Sequence, residues 1–540
     1  MNLQQEKKTY FFILLSIITL IFFSCTGQQD QNQQQESNTE KGLEPVPQEL
    51  ILQGNNLSRQ YCVQCHLYTP PDLLPKHIWK NEVLPKMGNY HGFYQQKKRE
   101  ELIEKGIAGA KVLQRNVYPE QPTLDSAEWQ TIQAFYFAKA PEILETASTD
   151  DLPVKNIFQP VFPKGRIVPP MTTMVDFKEA SELIYHSDVK KDVSVLNIYQ
   201  PSGKLIQAIA MRSAAAKIDE KEDGLWVLNM GKFTSTDAPV GSLSRISKRG
   251  GASQYNSVEV MIDSLQRPVD VDYADFDQDG DEDVVIAQFG NWAGILEWFE
   301  NKGDKQYERH TLIPITGAEE VMVDDLNTDG LPDILAMIAQ GEESIFACIN
   351  QGNGRFQIRK ILQVPPTHGS VTFEYLDLNS DGIKDILHVT GDNADYEAIP
   401  KPYHGLRIYL GKGDLKFEAP LFLPQNGAYK AIPADFDQDG DLDIASISFF
   451  PDYSGQAKES ILIFENVSVG DKLTFVPFTL EGYKSGRWIT MDSGDFDEDG
   501  YPDLVIGSFV VQNPYGNQSG IKKEWMEHSP MFVILINQWK

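Results

Sequence analysis

The sequence is poor in cysteine, with four in 540 residues. That number is too small for a disulfide framework, so the fold must depend on a hydrophobic core or on bound groups. Cys25 and Cys348 stand alone, and Cys348 lies in an apolar, strand-like run that predicts an inert buried thiol. Cys62 and Cys65 are close neighbours, and this pair needs a chemical explanation.

Basic residues are also scarce. Lys and Arg number 48 against 77 Asp and Glu, which gives a formal net charge of −29. Because nucleic-acid binding depends on neutralising phosphates with cations, the sequence predicts no nucleic-acid partner. The excess of acid has two explanations, a solvated acidic surface or carboxylates clustered around cations.

No apolar run is long enough for a comfortable membrane span; the longest is Thr9 to Phe23. It follows two lysines and stops at Ser24-Cys25, and so resembles a bacterial lipoprotein signal peptide of residues 1–24. The resemblance implies acylation of Cys25 and a lipid anchor in the outer membrane of a Gram-negative bacterium, on its periplasmic or surface face. An ordinary signal peptide or a membrane anchor is the alternative. Residues 25–46, rich in Gln, Asn, Ser and Glu, predict a disordered tether.

Common catalytic signatures are missing as well. The chain has no nucleophile elbow, no phosphate-binding loop and no second redox-cofactor motif. We therefore predict no catalytic residue. Because the residues of an active site can come from separate parts of a chain, the missing signatures leave the question of an enzyme activity open.

Residues 47–142 predict a small helical domain, followed by a linker over residues 143–157. Helical stretches are expected at Gln48–Cys65 and Lys97–Lys105. A third begins at an Asp or Ser N-cap near residue 125 and ends at Pro141. Its apolar residues share one face, as an amphipathic core helix requires.

Within this domain, Cys62-Val-Gln-Cys65-His66 has the C-x-x-C-H spacing of covalent haem attachment. Two thiols on one helical turn can reach the two vinyl groups of the porphyrin, and the adjacent His66 can ligate the iron. A zinc site would need a second cysteine pair, and a thioredoxin-like dithiol would need a βαβ context. The sequence offers neither.

Residues 47–142 resemble a class I cytochrome c domain, chiefly in the C-x-x-C-H motif and the final helix. The resemblance implies one covalent haem c, held by Cys62, Cys65 and His66. Met87 is the only methionine between the tether and residue 142, and we predict it as the sixth ligand. His77 and His91 are the alternatives.

After residue 155 the sequence changes to short β-rich runs separated by Gly, Asp and Asn. A self-similar unit has its first Asp at positions 275, 325, 377, 435 and 495. Each unit contains four short strands, the pattern of a propeller blade. Two similar units without the Asp motif precede these five, and residues 158–168 are placed to complete the last unit and close the ring. The predicted fold is multidomain: a small all-α cytochrome c domain followed by an all-β seven-bladed propeller over residues 158–540.

The repeated motif is D-x-[DN]-x-D-G-x-x-D. Oxygens at positions 1, 3, 5 and 9, with Gly at 6, let a loop curl around one hard cation. An EF-hand is excluded because position 12 is never Glu and strands flank the motif. The loops resemble the FG-GAP (VCBS-type) repeats of integrin α-subunit propellers, which implies about five structural Ca²⁺ ions. The predicted ligands are Asp275, Asp277, Asp279, Asp283, Asp325, Asn327, Asp329, Asp333, Asp377, Asn379, Asp381, Asp385, Asp435, Asp437, Asp439, Asp443, Asp495, Asp497, Asp499 and Asp503.

The leading functional prediction is a membrane-tethered c-type cytochrome that exchanges electrons with a redox partner protein, with the propeller as a docking or recognition module. One alternative is a cytochrome-coupled dehydrogenase with its catalytic site in the propeller. Another is a surface adhesin whose propeller binds glycan or protein. A reversible one-electron potential without substrate turnover would favour the first, and haem reduction by added sugars or alcohols the second.

Overall fold

The computed structural model describes residues 46–165, 168–190, 194–248, 255–470, 472–512 and 520–539. The predicted signal peptide, the lipidation site Cys25 and nearly all of the predicted tether lie outside these ranges. Within them, no helix is both long and apolar enough to cross a bilayer.

The first part of the described chain is helical, as predicted. Asp125 caps the last long helix: its side chain accepts a hydrogen bond from the Ala127 N–H, and Glu128 accepts one from the Asp125 N–H. The helices of this region are α1 (Gln48–Tyr61), α2 (Lys76–Ile78), α3 (Leu84–Tyr90), α4 (Arg99–Leu102), α5 (Ile107–Gln114) and α6 (Ser126–Lys139), with a π-helical turn at Trp79–Val83 and 3₁₀ turns at Cys62–Gln64 and Pro71–Leu73.

Helices α1 and α6 pack in close contact at Gly54. A Cβ atom at this position would lie 2.5 Å from the Cβ of Phe135 and 2.6 Å from the Thr131 carbonyl oxygen. Only glycine permits this approach, which sets the end of α1 against α6. The cysteine pair directly follows α1, so its position depends on this contact.

Seven β-sheets follow, which confirms the seven-bladed propeller. The strands are β1 (Val154–Lys155), β2 (Phe158–Val161), β3 (Thr172–Lys178), β4 (Leu183–Asp188), β5 (Ser194–Tyr199), β6 (Leu205–Met211), β7 (Ala215–Lys221), β8 (Gly224–Asn229), β9 (Pro239–Lys248), β10 (Tyr255–Gln266), β11 (Pro268–Ala274), β12 (Asp283–Gln288), β13 (Ile295–Asn301), β14 (Tyr307–Ile313), β15 (Ala318–Asp324), β16 (Asp333–Ile338), β17 (Ser344–Asn350), β18 (Phe356–Gln363), β19 (Ser370–Leu376), β20 (Asp385–Thr390), β21 (Gly405–Tyr409), β22 (Leu421–Pro424), β23 (Ala428–Ala434), β24 (Asp443–Ser448), β25 (Ile461–Asn466), β26 (Phe475–Leu480), β27 (Trp488–Gly494), β28 (Asp503–Ser508) and β29 (Phe532–Asn537). A short helix, α7 (Ile521–His528), precedes β29.

Blades 1 to 6 take four consecutive strands each, beginning with β3, β7, β11, β15, β19 and β23. Blade 7 contains β27, β28 and β29, and β2 completes it by antiparallel pairing with β29. This is the ring closure that the sequence predicts. One feature was not predicted: β1, inside the predicted linker, pairs parallel with β26 as a fifth strand of blade 6.

The blades pack through their middle strands. Along β20, Leu387 contacts the cluster shared with blade 6, while Ile386 contacts the cluster shared with blade 4. Because neighbouring blades cover both faces of the sheet, successive residues of the second strand are mostly apolar and do not alternate with polar ones. Cys348, on β17, is fully buried in such a cluster, and burial raises the pKa of its thiol to about 12, as expected for an inert thiol.

The propeller has two distinct faces because neighbouring strands run antiparallel. The connections from first to second strand lie on one face, which we call the carboxylate face because it carries the five Asp motifs. The connections from second to third strand, such as residues 289–294 and 391–404, lie on the opposite face, which we call the docking face.

Candidate functional site

The five Asp motifs form the first-to-second connections of blades 3 to 7 and share one backbone conformation. Position 4 is left-handed in each, with φ between 59° and 67°. Gly at position 6 has φ between 84° and 99°, where a side chain would be strained. The repeated dihedrals curl each loop back on its first Asp.

The carboxylates at positions 1 and 3 bind the backbone of their own loop. In blade 3, Asp275 accepts hydrogen bonds from the N–H groups of Asp279 at 3.1 Å and Gly280 at 3.0 Å. Asp277 also accepts from the Asp279 N–H, at 3.1 Å. The bond from Gly at position 6 to Asp at position 1 recurs in all five loops at 2.8–3.1 Å.

The predicted ligands converge. Three side-chain oxygens lie within 4.8 Å of one another in each of blades 3, 6 and 7, which is the grouping that a hard divalent cation requires. In blades 4 and 5 position 3 is an asparagine, Asn327 or Asn379, whose amide donates to the Asp at position 5 at 2.9 and 3.0 Å. The converging groups are Asp275, Asp277 and Asp279; Asp435, Asp437 and Asp439; and Asp495, Asp497 and Asp503.

Asp at position 9 differs from the other predicted ligands because it is buried and accepts hydrogen bonds from the backbone of two separate segments of the blade. In blade 4, Asp333 is fully buried and accepts from the N–H groups of Leu326 at 3.0 Å and Asn350 at 2.6 Å. The same two bonds recur at position 9 of all five loops. This residue fastens the loop to the third strand as well as facing the cation position.

Burial raises the pKa of these position-9 carboxyls. The pKa of Asp283 rises to about 6, and those of Asp443 and Asp503 rise to about 7. Neighbouring aspartates in the same loops raise them further. A bound cation would favour the ionised form and offset both effects.

One supporting residue escaped the sequence analysis. The third strand ends in Asn in four of the five motif blades, and Asn350 donates its side-chain amide to the Phe276 carbonyl of the preceding blade at 2.9 Å. Asn537 makes the same bond to Phe436 at 2.8 Å. Its spacing from the motif varies with the second-to-third connection, so no fixed pattern in the sequence reveals it.

A further acidic cluster lies on the outer strands of blade 3, at Glu300, Glu308 and His310. Glu300 already pairs with His310 at 2.9 Å and with Lys302. Since side chains of this blade balance its charge, we assign no cation there.

The C-x-x-C-H motif begins directly after α1. Cys62 and Gln64 bound a 3₁₀ turn, Cys62 is half-buried beside Tyr136 of α6, and Cys65 is exposed. Burial raises the pKa of Cys62 to about 11 and raises that of Cys65 as well. A redox dithiol needs a thiol with a lowered pKa, so this environment disfavours dithiol chemistry.

His66 has the arrangement of a metal-ligating histidine. Its Nδ1 lies 2.8 Å from the Leu67 carbonyl oxygen, and no described residue hydrogen-bonds its Nε2. A ligating imidazole commonly donates its other ring N–H to a backbone carbonyl. Val63, inside the motif, and Leu67, directly after it, have 49% and 39% of their surfaces exposed, which leaves apolar surface near His66 for a bound group to cover.

The three candidates for the sixth ligand lie in different surroundings. Met87, on α3, packs half-buried against the hydrophobic cluster that includes Tyr61. The ring of His91 lies 6.3 Å from that of Tyr61, and its Nδ1 is 2.8 Å from the Thr123 hydroxyl. His77 instead faces Glu397 of the propeller at 3.4 Å.

The helical region packs on the docking face of the propeller. Ile399, from the connection 391–404 of blade 5, belongs to the hydrophobic core of the helical region. The Tyr403 hydroxyl donates to the Leu73 carbonyl oxygen at 2.6 Å. Across the ring, Lys111 reaches Gln266 at 2.7 Å and Arg115 donates to the Gly294 carbonyl at 3.2 Å.

Beneath Tyr403 lies a buried polar cluster that the sequence analysis missed. Both ring nitrogens of His388 and of His404 are buried without a hydrogen-bond partner among the described residues, and so is Nδ1 of His368. Burial lowers the pKa of His368 and His388 to about 3, so these rings are neutral. Tyr403 stacks on His368 with 4.7 Å between ring centroids, which links the cluster to the helical region.

Comparison with protein families agrees with the repeats predicted from the sequence. The FG-GAP-like repeat pattern matches residues 275–336 and 325–388. Among solved structures, BBS1N in complex with ARL6DN has a TM-score of 0.41 and 9% identity over 71% of this chain and 98% of its own. The luciferin-regenerating enzyme has a TM-score of 0.35 and 11% identity over 70% of this chain and 96% of its own.

No curated protein sequence matches the chain. The likenesses to solved structures assign no activity. The chain carries FG-GAP-like repeats on a seven-bladed propeller, which suggests a recognition or binding module.

Proposed function

We propose that this protein is an electron-transfer c-type cytochrome, with the haem attached through Cys62 and Cys65 and the propeller as docking or recognition module. The supporting observation is the setting of His66: Nδ1 is held by the Leu67 carbonyl, no residue of the described chain hydrogen-bonds Nε2, and both thiols lie within one turn of it. When bound, the haem would supply reversible one-electron chemistry.

The chain's own residues orient this site. The contact between Gly54 and Phe135 fixes the end of α1, and with it both thiols, against α6. The Leu67 carbonyl holds the His66 ring and sets its tautomer, with the proton on Nδ1 and the lone pair on Nε2. The raised pKa of each thiol keeps it protonated at neutral pH and limits disulfide formation before attachment.

For the sixth ligand, the surroundings favour Met87 or His91 over His77. Met87 packs against the same hydrophobic cluster as Tyr61, the residue before Cys62, and the His91 ring lies near that of Tyr61, whereas His77 is turned to the propeller. A Met ligand gives a higher reduction potential than a second His. Met87 remains our proposal.

An optical spectrum of the chain co-expressed with haem-attachment machinery tests the proposal. We expect a covalently bound haem in a one-to-one ratio and reversible reduction, both lost in Cys65→Ala. Cys348→Ala is the matched control, because that thiol is buried on β17 far from the motif in sequence, and it should keep the haem. A colourless protein with two free thiols at residues 62 and 65 would rule the proposal out.

The ligand assignment has its own test. Met87→Ala should lower the reduction potential and remove the spectroscopic signature of thioether ligation, and His91→Ala should leave both unchanged. The reverse result would assign the site to His91.

We also propose that the Asp loops bind about five Ca²⁺ ions, that Cys25 carries a lipid anchor in the outer membrane, and that a redox partner protein docks on the propeller. Convergent oxygens in the loops support the first of these. Metal analysis of the purified chain should find about five calcium ions, and Cys25→Ser should release the protein from membranes. Retention of Cys25→Ser in the membrane fraction would contradict the anchor.

A further inference from the structure

A buried arginine lies inside the polar cluster of blade 5. Arg407, on β21, is 8% exposed, and His388 of β20 lies directly opposite it in the strand register. Residues directly opposite each other in an antiparallel pair lie on the same side of the sheet. The guanidinium and the His388 ring therefore belong to one side of blade 5, where they can contact the same bound group.

The contacts of Arg407 leave its charge without an acidic partner. Its guanidinium donates to the Thr390 hydroxyl and to the Tyr403 carbonyl oxygen, the latter at 2.6 Å. It also lies over the Phe422 ring, 4.6 Å from the centroid. Burial lowers the pKa of the guanidinium, and the neighbour that raises it is Tyr409, not a carboxylate. A buried cation without a counter-ion is costly, so this position favours an anion.

A second buried cation at this end of blade 5 is balanced by acids. Lys401 is 4% exposed. Burial lowers its pKa to about 8, and three acids act in the opposite direction: Asp392, Asp395 and Glu343. No such acid acts on Arg407. The unbalanced positive charge therefore lies at the arginine and not at the lysine.

The imidazole nitrogens near this charge are unpartnered. Both ring nitrogens of His388 and His404, and Nδ1 of His368, have no hydrogen-bond partner among the described residues. His388 is 2% exposed and His404 1%. Besides burial, Arg407 lowers the pKa of all three rings, which places them around the guanidinium. Each neutral ring has one N–H donor, so the cluster offers several donors beside one uncompensated cation.

The same rings do not form a site for a metal ion. In the Asp loops of blades 3, 6 and 7, three ligand atoms lie within 4.8 Å of one another, and no such group in the described chain includes His368, His388 or His404. A guanidinium beside the rings would also repel a metal cation. The segments that carry the cluster, residues 364–376 and 385–410, are described without a gap. Donors spread around a guanidinium suit an anion.

We propose that Arg407 and the histidine rings of blade 5 bind one small, singly charged inorganic anion of the size of chloride. One negative charge balances the arginine, since the neutral rings add none. Tyr403 covers the cluster: its ring stacks on His368, and its hydroxyl donates to the Leu73 carbonyl of the helical region. The anion therefore lies beneath the contact between the propeller and the helical region, and its binding does not depend on haem.

Chlorine-35 NMR on the full mature chain tests the proposal, because bound chloride broadens the signal of the free ion. Calcium is added as its gluconate salt, and gluconate holds the ionic strength constant while chloride is raised. We expect saturable broadening that bromide displaces, and a Tm that rises with chloride to a plateau. Equal Tm in chloride and in gluconate, without broadening, would leave only water at the cluster and overturn the proposal. Displacement by phosphate at lower concentration than by bromide would overturn the singly charged ligand.

Two variants locate the anion. Arg407→Gln should abolish both the broadening and the rise in Tm. His388→Phe keeps a flat ring without nitrogens, and should weaken chloride binding about tenfold, the equivalent of one charge-assisted hydrogen bond. If the ring only fills space, His388→Phe leaves the chloride response intact, and that result would overturn the site even if Arg407→Gln fails to fold.

Arg359→Gln is the matched control, since Arg359 is an exposed arginine on the outer strand β18 of blade 4. It should keep the full chloride response. An equal loss in Arg359→Gln would show general charge attraction and refute the site.

Discussion

On the carboxylate face, the first-to-second connections of blades 3 to 7 all have the same length and sequence pattern, from 275–282 to 495–502. On the docking face, the second-to-third connections vary from residues 339–343 in blade 4 to residues 391–404 in blade 5. The constant face fastens each blade through the same hydrogen bonds. The varied face holds the helical region.

Blades 1 and 2 sharpen this contrast. They form the same four strands without an Asp motif, through short first-to-second turns at residues 179–182 and 222–223. Such turns satisfy their own backbone, for example through the bond from the Glu182 N–H to the Glu179 carbonyl at 3.3 Å. The Asp loops are therefore not needed to form a blade, and their effect should be confined to the blades that have them.

Removal of calcium should have the largest effect. A site saturated at a hundred times its Kd stabilises the folded state by about 2.7 kcal/mol, and five such sites add up. We expect excess chelator to lower Tm by more than about 10 °C in a thermal melt. Hydrogen exchange should increase in residues 275–282 and their counterparts, and stay unchanged at residues 179–182. An identical Tm in calcium and in chelator would contradict the cation sites.

Within one loop, positions 9 and 1 should separate structure from cation binding. In Asp333→Asn the side-chain oxygen can accept only one of the two buried N–H groups, so we expect a loss of about 3 kcal/mol in the free energy of unfolding that persists in chelator. Asp325→Asn removes an exposed carboxylate that water can replace, and should cost stability only in calcium. Urea unfolding in both buffers measures the difference. A calcium-dependent loss in Asp333→Asn alone would reverse the two roles.

The repeated face was also the predictable one. The Asp motifs, the seven blades and the closing strand β2 could be predicted from the periodicity of the sequence, because every blade packs against its neighbours in the same way. The varied face was not predictable. Ile399 packs in the core of the helical region, and Tyr403 contacts Leu73 across more than three hundred residues of sequence. Such residues are distant in the sequence and meet only when the ring closes, so no local sequence pattern identifies them.

The contact between the helical region and the propeller should be of intermediate strength. Ile399→Ala removes buried apolar volume from the core of the helical region, and we expect a loss of about 2 kcal/mol. Hydrogen exchange should rise in α3 and α6 but not in the Asp loops. Ile383→Ala is the matched control on the carboxylate face, where the side chain is 38% exposed, and should be nearly neutral. Equal effects of the two substitutions would argue against docking through Ile399.

The smallest expected effect lies between the two faces, on the inner strand β15. Glu320 accepts hydrogen bonds from the Phe373 N–H at 2.7 Å and the Thr372 hydroxyl at 2.9 Å. Burial, with Asp270 and Glu374 nearby, raises its pKa to about 8, against about 4.3 in an unfolded chain. Between these values the folded state holds the extra proton, so this group stabilises the fold at low pH and the stabilisation is lost as the pH rises through about 8.

Glu320→Gln should remove the loss of stability at high pH. The amide oxygen still accepts the Phe373 N–H, and the amide carries no charge. In saturating calcium, the free energy of unfolding of the variant relative to that of the unsubstituted protein should rise from pH 5 to about pH 8 and then level off, as measured by urea unfolding. Glu418→Gln, at an exposed site beside Lys412, should show no such trend. Calcium binding to the Asp loops strengthens as the pH rises, which is the opposite sign. If the variant and the unsubstituted protein instead have the same free energy of unfolding at every pH, the whole pH dependence comes from the carboxylate face.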